Sequence, residues 1–308
     1  MTKFHYRIYG FIVQSNQALP SIPDLSQCKE RVDVQVEINT LSVPDSLGNN
    51  TRYFSYHDET LKVWSNRANI LMDYSVGLKA WIKQDNQILI ETRNDLNLKV
   101  TKQILLQGVL GLWLLMRGKF AIHGCAIRKD KEAIIFAGVS GVGKSTIATA
   151  CYDLGYSILS DDVSLIELST SQPPLVVPSF PIIKITPETL RIVGNKNQSK
   201  LNHIPIVNKF EAQLGDQFCS EKTALKAIYC LSVDSRIHKL KIESLTGVDK
   251  VIALLNNTYR HFMIDVIDLQ KEHFNFCTKL ASSTSINSIT RPTEGLFYKQ
   301  IIEQTLNV

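Results

Sequence analysis

AIIFAGVSGVGKSTIATACYDLGYSILSDDVSLIE, Ala133 to Glu167, decides how the rest of the chain is read. It opens on the apolar run Ala133-Ile134-Ile135-Phe136-Ala137, the length of a buried strand. Gly138-Val139-Ser140-Gly141-Val142-Gly143-Lys144-Ser145 follows and meets G-x-x-x-x-G-K-[ST] at every fixed position. A helix is predicted from Lys144 and Thr146 through Cys151, stopping near Gly155. Strand, loop and helix in that order are the context the motif requires.

Those residue types suit a triphosphate, which is a dense anion. Glycines let backbone N–H groups approach its oxygens with no Cβ in the way. A helix beginning at Lys144 turns its partial positive end toward the same anion. Lys144 is placed to reach the β- and γ-phosphates, and the Ser145 hydroxyl to ligate Mg²⁺. Nucleotide binding is implied, without yet identifying a reaction.

The 308 residues, 44% of them hydrophobic, allow a sizeable core in one large or two smaller domains. A net charge of +5 is mild at this length, and no dense block of Lys and Arg argues for nucleic acid or a membrane surface. Cys28, Cys125, Cys151, Cys219, Cys230 and Cys277 form no C-x-x-C and no zinc-spaced cluster, which predicts free thiols. The first residues, MTKFHYRIYGFIVQS, carry no signal-peptide pattern. The apolar stretch Ile104 to Met116 is too short to cross a bilayer. The expectation is a cytoplasmic, non-membrane protein.

Residues 1–100 are predicted to form a β-rich domain with a small mixed or antiparallel sheet. Strands are read at Phe4 to Tyr9, Val32 to Ile38, Leu61 to Trp64, Ile70 to Met72 and Gln87 to Glu91. Turns are read at Leu19-Pro20, Ile22-Pro23, Val43-Pro44-Asp45 and Gly48-Asn49-Asn50. Residues 101–308 are read as the nucleotide domain, entered through a mostly buried helix over 101–117. Within it, strands are expected at 120–127, 181–185 and 225–231, a polar loop over 194–202, and helices over 248–262 and 297–306.

Two further features carry chemistry. Asp161-Asp162, preceded by apolar Ile158-Leu159, is read at a strand end, where doubly wound sheets place their ligands. A carboxylate there can hold Mg²⁺ or take a proton from an incoming hydroxyl. Adjacent carboxylates also repel, so one of a buried pair retains its proton longer. His123-Gly124 stands in the strand before the loop, where an imidazole can orient a carboxylate or stabilise charge on a moving phosphoryl group.

His123-Gly124, GVSGVGKS at 138–145 and Asp161-Asp162 together resemble the core of HPr kinase/phosphorylase, whose nucleotide core is shared with phosphoenolpyruvate carboxykinase. The chain is similar to an HPr-kinase-like subgroup containing kinases of lasso-peptide precursors. That similarity lies in Tyr6 to Pro20, Pro178 to Lys184, Val207-Asn208-Lys209, Leu225 to Tyr229 and Asn257-Thr258-Tyr259-Arg260. The resemblance implies an α/β fold with a P-loop core of this type beside the β-rich N-terminal domain. It implies ATP- and Mg²⁺-dependent transfer to a serine hydroxyl of a small protein or peptide.

Carried over residue by residue, Lys144 holds phosphate within the cradle 138–146 and Ser145 holds the metal. One of Asp161 and Asp162 acts as base and the other helps order the metal, with Ser145 and Asp162 as the metal contacts. His123 orients the base or meets the transferring group. Lys184, Lys209 and Arg260 neutralise phosphate charge. The N-terminal sheet and the C-terminal segment are expected to hold the acceptor. The family's Glu-Ile-Arg-Gly-Leu-Gly signature is absent after Asp162, where the Pro-rich stretch Ser171 to Pro181 stands instead. The resemblance therefore does not extend to the reverse reaction or to HPr as acceptor. A small-metabolite kinase and a nucleotide-gated binding protein are the alternatives, and association into a homo-oligomer is left open.

Overall fold

The computed structural model describes residues 2–25, 29–39, 44–46, 51–56, 59–66, 68–93, 96–193, 201–204 and 208–306. Several sequence readings lie outside the described residues: Cys28, Val43, the turn at Gly48-Asn49-Asn50, most of the loop from Gly194, and Val207. The fold is mixed α/β, with two eight-stranded sheets and one of three strands. Two compact units are present: Met1–Arg117 with Phe262–Gln270, and Gly118–His261 with Lys271–Val308.

In the first unit, β1 (Phe4–Ile8), β2 (Phe11–Ser15), β3 (Val34–Asn39), β4 (Thr51–Tyr56), β5 (Glu59–Ser65), β6 (Ile70–Tyr74), β7 (Leu78–Ile82) and β8 (Gln87–Thr92) form one sheet. Its order is β1-β2-β3-β8-β7-β6-β5-β4. The β2–β3 and β3–β8 pairs are parallel and the others antiparallel. It is larger than the small sheet expected, because β2, β4 and β7 were not read from sequence. In β7 the period-two alternation is clear, with Leu78, Ala80 and Ile82 all buried.

A helical run follows: α1 (Leu98–Gln103), a π-helical stretch Ile104–Val109, and α2 (Leu110–Met116). The Asn97 side chain caps it, accepting from the Lys99 N–H at 2.8 Å. The Tyr9 hydroxyl donates to the Leu106 carbonyl inside the widened stretch. The run is longer than Ile104 to Met116. Over Leu98–Met116 it is long and apolar enough to cross a membrane by length and composition alone, and 78% of that window is buried within the protein.

The second unit carries the motifs. Its strands β9 (Ala121–Lys129) and β10 (Glu132–Ala137) form an antiparallel hairpin. β10 also pairs in parallel with β17 (Thr223–Val233), which pairs in parallel with β19 (Ser285–Arg291). On the other flank, β11 (Ser157–Ser160) and β12 (Val163–Glu167) both pair with β9, and β13 (Leu175–Val177) bridges β12 and β17. A second sheet joins β14 (Ile182–Ile185), β16 (Lys209–Gln213) and β15 (Asn202–Ile204).

Helix α3 (Lys144–Asp153) buries Ile147, Ala148 and Cys151 against Ile134 and Phe136 of β10, with Ile301 and Ile302 of α7 (Tyr298–Leu306) in the same cluster. α4 (Pro187–Val193) follows β14. α5 (Gly247–Asn257) is shorter than the helix predicted to Phe262: Thr258 is extended and Arg260 takes a left-handed φ of 53°, which ends it. α6 (Gln270–Ser283), β18 (Lys241–Ser244) and β19 were not anticipated. The described cysteines, Cys125, Cys151, Cys219, Cys230 and Cys277, are all free and buried.

One glycine has a steric reason to be there. A Cβ on Gly124 would lie 2.6 Å from the Phe136 carbonyl oxygen and 3.1 Å from the Ala137 Cα, both backbone atoms of the neighbouring strand. Gly124→Ala must therefore push β9 and β10 apart. The expected cost is about 2–3 kcal/mol, read as a fall in the denaturant midpoint without a change in slope. An unchanged midpoint would mean that the hairpin adjusts freely.

Candidate active site

The loop 138–143 leaves the carboxyl end of β10, and α3 begins at Lys144. Gly143 adopts φ +115° as the residue preceding the helix, a conformation that any side chain would strain. Lys144 is buried; its ammonium donates to the carbonyls of Gly138 at 2.7 Å and Val139 at 2.9 Å. Burial lowers its pKa, against the opposing pull of Asp162, Cys125 and Asp161. Val139, Ser140 and Gly141 are exposed at the loop tip. The Thr146 hydroxyl is hydrogen-bonded to that of Thr189 in α4 at 3.1 Å.

Asp161 and Asp162 form the turn between β11 and β12, with Asp162 in the left-handed region at φ 68°. Two backbone bonds fix this turn against the loop. The Gly138 N–H donates to the His123 carbonyl at 3.2 Å, and the Gly124 N–H donates to the Asp162 carbonyl at 3.0 Å. The dipeptide His123-Gly124 thus tethers the first residue of the loop to the acidic turn. The Ser164 hydroxyl adds a bond to the Gly124 carbonyl at 2.9 Å.

Lys184, in β14, meets both acids. Its backbone N–H donates to Asp161 Oδ2 at 2.9 Å, and its ammonium pairs with the Asp162 carboxylate. The two acids titrate in opposite senses. Burial and the neighbouring Asp162 charge raise Asp161 to about 6, against Lys184 and Lys209. Burial also opposes ionisation of Asp162, but Lys184 and Lys209 outweigh it and hold that carboxyl well below the usual range. For Lys184, burial pulls the pKa down, yet the Asp162 and Asp161 charges prevail and it stands above its ordinary value. Burial, with Lys144 nearby, lowers His123 to about 4, so its imidazole is neutral at pH 7. The positive field on Asp162 at that pH therefore comes from the lysines.

The structure gathers Lys144, His123, Asp161, Asp162, Lys184 and Lys209 within electrostatic reach of one another. Arg260 is joined less directly. It lies over the Tyr259 ring at 5.6 Å, and Tyr259 meets the His123 ring edge-on at 5.8 Å. Tyr259 enters from sequence only inside the similar segment Asn257 to Arg260, with no role of its own, and Arg291, whose Nε donates to the Val142 carbonyl of the loop at 3.2 Å, carries no local signal. Both come from distant segments that only the fold brings in.

The fit to a magnesium ion can be tested on the donors present. No cluster of three His, Cys, Asp or Glu ligands occurs among the described residues. Mg²⁺ beside a nucleotide needs only one or two protein oxygens in addition to phosphate and water. The Ser145 carbonyl accepts from Thr149 Oγ1 at 2.8 Å, and its hydroxyl has no hydrogen-bond partner among the described residues. Asp162 is ionised and partly exposed. Ser145 and Asp162 therefore fit the role.

No family model matches the chain, and no curated protein matches it. Among solved structures it is similar to the HPr(Ser) kinase/phosphatase from Coxiella burnetii, at 14% identity and a TM-score of 0.35, over 61% of this chain and 88% of that one. At that distance the likeness assigns no role to any residue here.

Proposed function

We propose that the chain is an ATP-dependent kinase that transfers a phosphoryl group to a serine hydroxyl of a small protein or peptide. The observation that carries this reading is the tether through His123-Gly124, which holds an acidic turn beside a loop with the G-x-x-x-x-G-K-S pattern. A nucleotide-binding module has no need of a carboxylate raised toward neutrality at that place; a phosphotransferase needs a base there. The serine and the peptide class come from the sequence resemblance.

Lys144 and the loop N–H groups hold the triphosphate. Asp161 takes the proton of the acceptor hydroxyl as its oxygen bonds to the γ-phosphorus. The bond from that phosphorus to the β,γ-bridging oxygen breaks, releasing ADP, and the proton passes to solvent. The His123 carbonyl holds the first residue of the loop, and the N–H of the adjoining Gly124 holds the acidic turn. Lys184 and Lys209 offset charge on the transferring group, with Arg260 adding to that field from the Tyr259 side. Mg²⁺, when bound by Ser145 and Asp162, supplies charge neutralisation at the phosphates. Most of the rate comes from positioning and electrostatics.

The test is incubation with ATP and Mg²⁺ against a panel of serine-bearing peptides and their Ser→Ala counterparts, read by intact mass. The expected result is one or more phosphoryl additions, absent from the alanine counterparts. Binding of ATP with no phosphorylated acceptor across peptides, proteins and metabolites would overturn the kinase reading.

A further inference from the structure

The segment that leaves α5 closes onto the strand carrying His123. Thr258 bridges Ile122 in antiparallel sense, and the Tyr259 N–H donates to the Ala121 carbonyl at 2.8 Å. Side chains alternate between the two faces of such a pair. Tyr259 and His123 therefore share a face as diagonal neighbours, a spacing that aromatic groups can span. Their rings meet edge-on, with centroids 5.8 Å apart and planes at 77°.

That segment is anchored. Thr258 is buried, and its Oγ1 donates to the Leu254 carbonyl at 2.9 Å. With its one proton spent there, Thr258 Oγ1 accepts from Nε2 of buried His273 at 2.7 Å. Arg260 follows in the left-handed region at φ 53°, uncommon for a bulky side chain. Its guanidinium lies over the Tyr259 ring at 5.6 Å, with Nε donating to the Tyr259 hydroxyl at 3.4 Å. One ring thus touches both the imidazole and the guanidinium.

The imidazole depends on that contact. It is half-buried, and its nitrogens make no hydrogen bond among the described residues. The outer torsion of a histidine is broad, so without a hydrogen bond packing decides where the nitrogens point. Lys144, Asp162, Lys184 and Lys209 stand within electrostatic reach of the ring, and Tyr259 within reach of Lys184. A neutral imidazole has one nitrogen that donates and one that accepts, so its direction decides what it offers an oxygen at the acidic turn.

We propose that Tyr259 is a positioning residue for phosphoryl transfer: its ring fixes the His123 imidazole toward the acidic turn and holds Arg260 beside it. The proposal rests on the kinase reading above and goes beyond it, since neither the G-x-x-x-x-G-K-S loop nor the acidic pair calls for an aromatic ring at this place.

The test uses the full chain and the serine peptide that it phosphorylates. Tyr259→Leu should lower kcat by roughly 10- to 100-fold, the scale of a misplaced catalytic group, with little change in KM for ATP. Tyr259→Phe keeps the ring and should recover most of that rate. In a His123→Ala background the further loss from Tyr259→Leu should shrink to about twofold or less, because the two residues act as one unit. Thermal unfolding confirms that each variant is folded, and Tyr259→Met replaces the leucine variant if that one is not. Carbon–proton spectra of the His123 ring at pH 7 give a readout independent of turnover: its signals should move in Tyr259→Leu and return in Tyr259→Phe. Equal losses from Tyr259→Leu with and without His123, or His123 signals indifferent to Tyr259, overturn the positioning role and leave the kinase reading intact. No transfer by the unaltered protein to any acceptor removes the kinase reading, and this role with it.

Discussion

Lys144→Ala should abolish phosphoryl transfer while the chain remains folded. Lys144 is 6% exposed and its ammonium rests on two neutral carbonyls of its own loop, so its positive charge is only partly offset. A triphosphate brought there would meet a desolvated cation, which acts far more strongly than one in water. Loss of one such charge-stabilising donor costs at least about 10²–10³ in rate. The fold should lose little. The alanine leaves two carbonyls short of a donor, but Val139 is exposed and water can reach its end of the loop. The opposing relief is that no ammonium has to be buried. A stability change within about 1–2 kcal/mol is expected. Lys144→Arg should fail nearly as badly, because a planar fork cannot occupy the place of a compact ammonium. Intact-mass detection of product and thermal unfolding check both halves. Transfer that survives in Lys144→Ala would show that phosphate is held elsewhere.

The parts of this site that were legible in the sequence are those with a local physical reason. Gly143 has to be glycine for its φ, and Gly124 because the backbone of β10 fills the space where a side chain would be. Ala133 to Ala137 reads as a buried strand because it is one. What depends on distant segments was hidden. That the acidic pair would split its pKa values follows from adjacency, but which member rises depends on Lys184 arriving from β14 and Lys209 from β16. Tyr259 and Arg291 are ordinary residues until the fold sets one on His123 and the other on Val142. Helix α6 escaped notice because its buried face includes His273, Cys277 and Ala281 among Phe276 and Leu280, which blurs the apolar period. Strand β19 pairs on both sides yet carries Ser285, Asn287, Ser288 and Thr290, so it lacks the apolar run of a central strand.

Asn substitutions at the two acids should both end transfer but move stability in opposite directions. Asp161 has a folded pKa of about 6 against an ordinary 3.8, so the folded chain holds its proton more tightly than the unfolded one. Its contribution to stability is then fully present below the ordinary value and is lost as pH rises through about 6. At pH 7 the ionised, buried Asp161 opposes folding, by an amount on the order of 2–3 kcal/mol. Asp161→Asn keeps an oxygen for the Lys184 N–H and removes that charge. It should raise the melting temperature of the metal-free protein at pH 7, with the gain fading toward pH 4. Asp162 behaves the other way. Its folded pKa is depressed, so its stabilisation is present above the ordinary value and is lost as pH falls. Asp162→Asn takes the contacting carboxylate from the ammonium of Lys184, a buried residue, and should cost about 3–5 kcal/mol. Adding Lys184→Met to Asp162→Asn should recover part of that loss, because both charges then leave the interior together. Thermal unfolding from pH 4 to 8 reads all of this. If Asp161→Asn destabilised the fold at pH 7 as much as Asp162→Asn, Asp161 would be a structural carboxylate rather than a base held near neutrality.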